Sequence, residues 1–106
     1  MKVIYIAHPL GRESNERACN IAQAERWFIF CADQGNCPMA PWLTLARHWT
    51  EERRGDGIAI DLRTIERCDE LWLCGPRISP GMQLEKDHAH KFGIPVVDWT
   101  GVELEP

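Results

Sequence analysis

Long apolar runs are the first thing this sequence lacks: nothing in it approaches the roughly eighteen consecutive apolar residues that a membrane-spanning helix needs. Such a helix is therefore excluded. The first residues, Met1 to Ala7, carry one positive charge and a very short apolar run, unlike a secretory signal with its longer hydrophobic region, and point to the cytoplasm. No CxxC pair is present, and the five cysteines (Cys19, Cys31, Cys37, Cys68, Cys74) form an odd set inside apolar or helical stretches, so reduced, buried thiols are expected. HExxH and carboxylate clusters with metal spacing are missing, and neither metal nor cofactor is expected. Excess positive charge is missing too. The formal net charge is -4 and the basic residues are scattered apart from Arg53-Arg54, which argues against a nucleic-acid polymer as partner. No repeat, linker or low-complexity segment divides the 106 residues, so a single domain over 1–106 is expected, burying roughly two-thirds of its unfolded surface.

What is present is an alternation of short apolar strands with amphipathic helices. Lys2 to Ala7 is rich in β-branched and aromatic residues and stops at His8-Pro9-Leu10-Gly11, which predicts a buried strand ending in a loop. From Ser14, a predicted N-cap, apolar residues recur with helical spacing through Ala18, Ile21, Ala24, Trp27 and Cys31 to a stop near Gly35. Cys37 to Pro41 predicts a short strand made irregular by two prolines. Trp42 to Gly57 is polar and charged and reads as a long loop running into a helix through Ile58, Leu62 and Ile65 that ends near Cys68. Glu70 to Cys74 predicts a central strand, Gly75-Pro76 breaks it, Ser79-Pro80-Gly81 opens a helix closed by Gly93, and Ile94 to Val97 forms the last strand. The order βαβαβαβ implies an α/β fold with a mostly parallel sheet of four to five strands covered on both faces. Ligands bind such sheets outside the carboxyl ends of the strands, so the loops after Ala7, Ala40 and Gly75 are expected to converge on the site.

Several short motifs lie at that edge: Tyr5-Ile6-Ala7-His8-Pro9, Asp61-Leu62 followed by Ile65, Cys68-Asp69-Glu70-Leu71, and Ser79-x-Gly81-x-x-x-Glu85 followed by Gly93-Ile94-Pro95-Val96. In order and spacing the chain resembles, over nearly its whole length, the nucleoside 2-deoxyribosyltransferase-like superfamily. That resemblance implies a flavodoxin-like three-layer fold and cleavage or transfer at the N-glycosidic bond of a nucleoside or 5′-mononucleotide. Glu85 falls on the family's nucleophile, Asp61 on its second acidic residue, which handles the departing base, and Tyr5 on the tyrosine that orients the nucleophile. An oxocarbenium-like transition state needs a nearby carboxylate, and a buried second acid can hold the proton the base requires. Substrate contacts fall on His8, Pro9, Ser79, Gly81 and Met82. Ser79 and the amides around Gly81 begin a predicted helix, where unpaired donors favour an anion such as a 5′-phosphate. The serine resembles the branch that hydrolyses deoxynucleoside monophosphates, and the C-terminal extension with which transferases make further contacts is absent; both favour hydrolysis over transfer. A homo-oligomer is also implied. His8 stands where the family usually has glycine, and its imidazole either narrows the sugar pocket or, if protonated, donates to a phosphate.

Each of these residues also has a plainer reading. Glu85 alone fits a solvated helix position, Asp61 a surface charge loosely paired with Arg54, and Tyr5 a core tyrosine satisfied locally. His88 and His90 lie two apart on a helix, point to different faces and read as surface histidines rather than metal ligands. Trp42 and Trp49 could stack on a base or close an interface, whereas Trp27, Trp72 and Trp99 fit packed elements. Two other functions stand beside glycosidic cleavage: a non-catalytic nucleotide-binding module, and a small interaction subunit whose loop tryptophans meet a protein partner.

Overall fold

The structure, a computed structural model, describes residues 1–106. Its elements in chain order are β1 (Val3–Ala7), α1 (Ser14–Asp33), β2 (Cys37–Met39), α2 (Pro41–His48), a 3-10 turn (Glu51–Arg53), α3 (Arg54–Ile65), β3 (Glu70–Leu73), α4 (Pro80–Lys91) and β4 (Val96–Asp98). The four strands form one parallel sheet in the order β2-β1-β3-β4, the α/β flavodoxin-like architecture expected from the alternation. β1 is paired on both sides: Tyr5 sits opposite Met39 of β2 and Leu71 of β3. Ile4 to Ala7 are completely buried, as a strand covered on both faces must be. Pro38 is tolerated because β2 is an edge strand, so its missing N–H leaves no ladder bond unmade on the open side.

The two faces of the sheet are different. On one, α1 buries Ile21, Ala24, Trp27 and Cys31 at spacings of three and four residues. Trp27, Phe30, Trp72 and Trp99 cluster there in edge-to-face and tilted pairs with ring centroids 5.3 to 6.3 Å apart, as the sequence placed Trp27, Trp72 and Trp99 in packed elements. The helix begins one residue away from the expected cap: Glu13, not Ser14, occupies the N-cap, and no side chain bonds the first-turn amides. On the other face Tyr5 points toward α3 and α4. The five thiols are free, with Cys31, Cys68 and Cys74 buried and Cys19 exposed.

The segment expected as a long loop is a correction. Pro41–His48 is a helix, and a second helix starts at Arg54, so two helices rather than one connect β2 to β3. Pro41 takes the first helical position, where a missing N–H costs nothing. Trp42 then turns inward for a specific reason. β2 stops level with Tyr5, which leaves the carbonyl of Ile6 beyond the last strand pairing, and the Trp42 indole N–H donates to it at 2.9 Å. At the far end of α2 the Arg17 guanidinium donates to the Ala46 carbonyl at 2.9 Å, satisfying one of the last-turn oxygens and tying α1 to α2. His88 is a second correction. It is not a free surface histidine but lies 2.9 Å from Glu66 across the end of α3, with its ring stacked on Phe92.

Candidate active site

Strand order reverses between β1 and β3, and at their carboxyl ends a crevice opens. The two loops approach closely. Gly75 follows β3 with φ +99°, a left-handed conformation, and a Cβ there would stand 2.9 Å from both His8 Nε2 and Pro9 Cδ. Only glycine fits. Above this floor lies a cleft of about 830 Å³ walled by the β1–α1 loop, α2, the start of α3 and the start of α4. The loops after Ala7, Ala40 and Gly75 thus converge.

The structure brings together the three residues expected to carry chemistry. Tyr5, with no exposed surface, gives its single hydroxyl proton to Glu85 Oε2 at 2.5 Å. The same hydroxyl faces Asp61 from α3. Glu85 and Asp61 both line the cleft. Burial is the main cause of three upward shifts. It holds the Tyr5 phenol well above its ordinary range, reinforced by the Glu85 charge. It pushes Glu85 up to about 8 against the opposing Tyr5 hydrogen bond, with the Asp61 charge adding to the rise. It pushes Asp61 up to about 7, again opposed by Tyr5. An ionised Asp61 thus opposes ionisation of Glu85, which disfavours two charges in the same cleft. The Tyr5 hydrogen bond favours the charge on Glu85, whereas the heavier burial that lifts Glu85 to about 8, above Asp61 at about 7, favours leaving a proton on it. Nucleophilic attack uses the form with the charge on Glu85 and the proton on Asp61, whose Oδ1 is buried with no partner. Arg54, the partner suggested for Asp61 on a plain surface reading, bonds Glu51 at 3.1 Å instead.

The remaining expected residues divide. His8 lines the cleft but is only 5% exposed, and its Nδ1 lies 2.7 Å from the Pro9 carbonyl. Burial lowers its pKa, partly offset by that carbonyl, which favours a neutral ring near pH 7 over the protonated phosphate donor considered from sequence. Pro9 is fully buried under Gly75 and does not line the cleft. Ser79, Gly81 and Met82 do line it. Ser79 is the N-cap of α4, but its hydroxyl accepts the Met82 N–H at 3.2 Å and its own N–H donates to Met82 Sδ at 3.4 Å. Pro80 has no N–H, so Gly81 supplies the one first-turn amide left for an anion.

Other parts of the wall were not read from the sequence. Arg12 and Arg77 line the cleft from the β1–α1 and β3–α4 loops, and no carboxylate pairs with either. Glu13, Glu16 and Glu51 share the rim, so its charge is mixed. The placement of Arg77 between Gly75-Pro76 and Ser79, in a loop at the ligand-binding edge, was the available signal for it. Neither tryptophan offers a simple stacking platform: Trp42 is buried with its N–H engaged, and the Arg53 guanidinium covers one face of Trp49 at 3.7 Å from the ring centroid.

Residues 2–99 match the family model of a domain of unknown function, DUF7768. The chain belongs to this family. No curated protein matches this DUF7768 chain in sequence. Among solved structures it is similar to a 2-deoxyribosyltransferase from the psychrotolerant bacterium Bacillus psychrosaccharolyticus, described as a biocatalyst for nucleoside synthesis. The TM-score is 0.65 at 23% identity, over 97% of this chain and 77% of that one. At that identity the likeness establishes a shared fold for the DUF7768 chain, in agreement with the resemblance drawn from its motifs.

Proposed function

We propose that this protein cleaves the N-glycosidic bond of a nucleoside or 5′-mononucleotide, with hydrolysis favoured over transfer. The observation that carries the reading is the 2.5 Å hydrogen bond from Tyr5 to Glu85, with Asp61 beside it in the same cleft. In the first step the ionised Glu85 carboxylate attacks the anomeric carbon; the bond to the base breaks, and its electron pair takes the proton held by Asp61. A water then attacks the same carbon, Glu85 leaves with the electrons of the ester bond, and the water's proton returns to Asp61. Tyr5 fixes the attacking oxygen and holds its charge until the bond forms. A phosphorylated substrate is supported by Arg12 and Arg77, two guanidinium groups without a carboxylate partner that line the same cleft as Gly81. Hydrolysis is favoured because Ser79-x-Gly81-x-x-x-Glu85 resembles the monophosphate-hydrolysing branch. The coarse fold likeness to a 2-deoxyribosyltransferase is consistent with the same substrate class.

The test is incubation with nucleosides and their 5′-monophosphates, following free base by chromatography. Release that disappears in Glu85→Ala is the expected result. Equal release by wild type and Glu85→Ala, or none from any compound, would overturn the assignment. A second reading, nucleotide binding without cleavage, is favoured by the His8 ring, which packs against Gly75 and lines the cleft where the nucleoside 2-deoxyribosyltransferase-like superfamily usually has glycine. In that case ligands raise the melting temperature and are recovered intact.

A further inference from the structure

We propose that His8 determines specificity by accepting a hydrogen bond at Nε2 from a neutral donor of the ligand, either a sugar hydroxyl or a base amino group. The proposal rests on the nucleoside reading of the cleft. Three buried side-chain polar atoms in the chain have no hydrogen-bond partner, and two of them, His8 Nε2 and Asp61 Oδ1, belong to residues that line this one cleft. An acceptor held away from water without a donor is costly, so its persistence at a concave site calls for an explanation.

The chemistry of Nε2 follows from its neighbour. Nδ1 lies 2.7 Å from the Pro9 carbonyl oxygen, which can only accept, so Nδ1 carries the proton. A neutral ring protonated at Nδ1 has a lone pair at Nε2 and nothing to donate there. Such an atom suits an O–H or N–H group and disfavours a phosphate oxygen, which leaves any phosphate to Arg12 and Arg77. The edge of the ring rests on Gly75, where a Cβ would come within 2.9 Å of Nε2. Nε2 has almost no exposed surface, so the new bond forms as the imidazole shifts toward the cleft that His8 lines. His8 would then read which hydroxyl or amino group enters, while Tyr5, Asp61 and Glu85 handle the anomeric carbon.

His8→Asn is the discriminating variant, because the asparagine amide keeps a donor near the Nδ1 position for the Pro9 carbonyl and removes the acceptor at Nε2. Calorimetric binding is measured in a Glu85→Gln background, which cannot form the glycosyl ester. The probes are adenosine and cytidine 5′-monophosphates and their analogues lacking the 2′-hydroxyl, the 3′-hydroxyl or the base amino group. One deletion is expected to weaken binding roughly tenfold when His8 is present and to have no effect with His8→Asn. Which deletion it is separates a sugar donor from a base donor. Equal losses in both backgrounds overturn the role of His8 while leaving the nucleoside reading intact. Absence of binding by every probe overturns both. Nitrogen-15 spectra of the wild-type imidazole give an independent check that does not depend on the variant folding: the Nδ1-protonated form, with an Nε2 signal that moves on adding adenosine 5′-monophosphate, is expected. An Nε2-protonated or doubly protonated ring at pH 7 sinks the proposal.

Discussion

Replacing Glu85 with glutamine should make the protein more stable as the pH rises, and the structure sets both the sign and the size. Glu85 is pushed from an ordinary 4.5 to about 8, chiefly because its carboxyl is enclosed between β1, α3 and α4. Well below pH 4 the group is protonated in folded and unfolded chains alike, and folding is indifferent to it. Between that range and about 8 the unfolded chain ionises while the folded one keeps its proton, so the unfolded state binds fewer protons and stability falls with rising pH. Above about 8 the cost of an enclosed carboxylate is fully present. Each tenfold change in proton affinity is about 1.4 kcal/mol, which caps the effect at roughly 4–5 kcal/mol, and structural relaxation brings the expected value nearer 2 kcal/mol. Glutamine is isosteric, cannot ionise and still accepts from Tyr5. Urea denaturation at intervals from pH 5 to pH 9 should show a wild-type midpoint that falls along this range. Glu85→Gln should give a flatter profile, about 2 kcal/mol more stable at pH 9, with an unchanged denaturant slope. Superimposable pH profiles for the two proteins would mean that Glu85 is not held in the enclosed environment described here. A gain in stability on losing the proposed nucleophile also has the sense expected of a site in which burial serves reactivity rather than folding.

Tyr5→Phe should lower the rate of base release at pH 7 about tenfold to a hundredfold, since it removes the one donor to the Glu85 charge; an unaltered rate would deny Tyr5 a positioning role. Gly75→Ala should cost about 2 kcal/mol or more in urea denaturation, because it combines φ +99° with a collision against His8 and Pro9. Trp42→Phe should destabilise by about 1–3 kcal/mol, as the Ile6 carbonyl loses its donor at the end of β2. A thiol reagent should modify Cys19 rapidly in the folded protein and reach Cys31, Cys68 and Cys74 only on unfolding, since these are buried and, for Cys31 and Cys68, burial raises the thiol to about 11.

The strands β1 and β3 and the helices α1 and α4 were legible because each carries its own signal: a short β-branched or apolar run, a helical period, or a Ser-Pro-Gly start with a glycine stop. The stretch from Pro41 to Ile65 was not. α2 has eight residues and buries only Trp42 fully, too little periodicity to stand out from a loop. α3 carries Gly55 in its first turn and Gly57 just beyond it, the latter costing up to about 1 kcal/mol against alanine, so its helicity is owed to packing against α2 and α4. The acids of the site could be found from the order of motifs along the chain. Arg77 had only its place in a loop at the ligand-binding edge to mark it, and Arg12 had no signal, because its arrival at the cleft depends on the path of the β1–α1 loop. The tautomer of His8 was likewise beyond reach, since it is set by the direction of one carbonyl, that of Pro9.

Tyr5 lies at the centre of β1, the strand hydrogen-bonded along both its sides. Amide exchange from such a strand ordinarily requires opening of the whole molecule, whereas short peripheral helices open locally at far lower cost. The group that steadies the Glu85 carboxylate is therefore part of the slowest-exchanging unit, and the α2–α3 wall opposite, built on a two-turn helix and a glycine-containing one, belongs to the fastest. The cleft can open on its α2–α3 side, which carries Asp61, while Tyr5 stays fixed on the timescale of global unfolding.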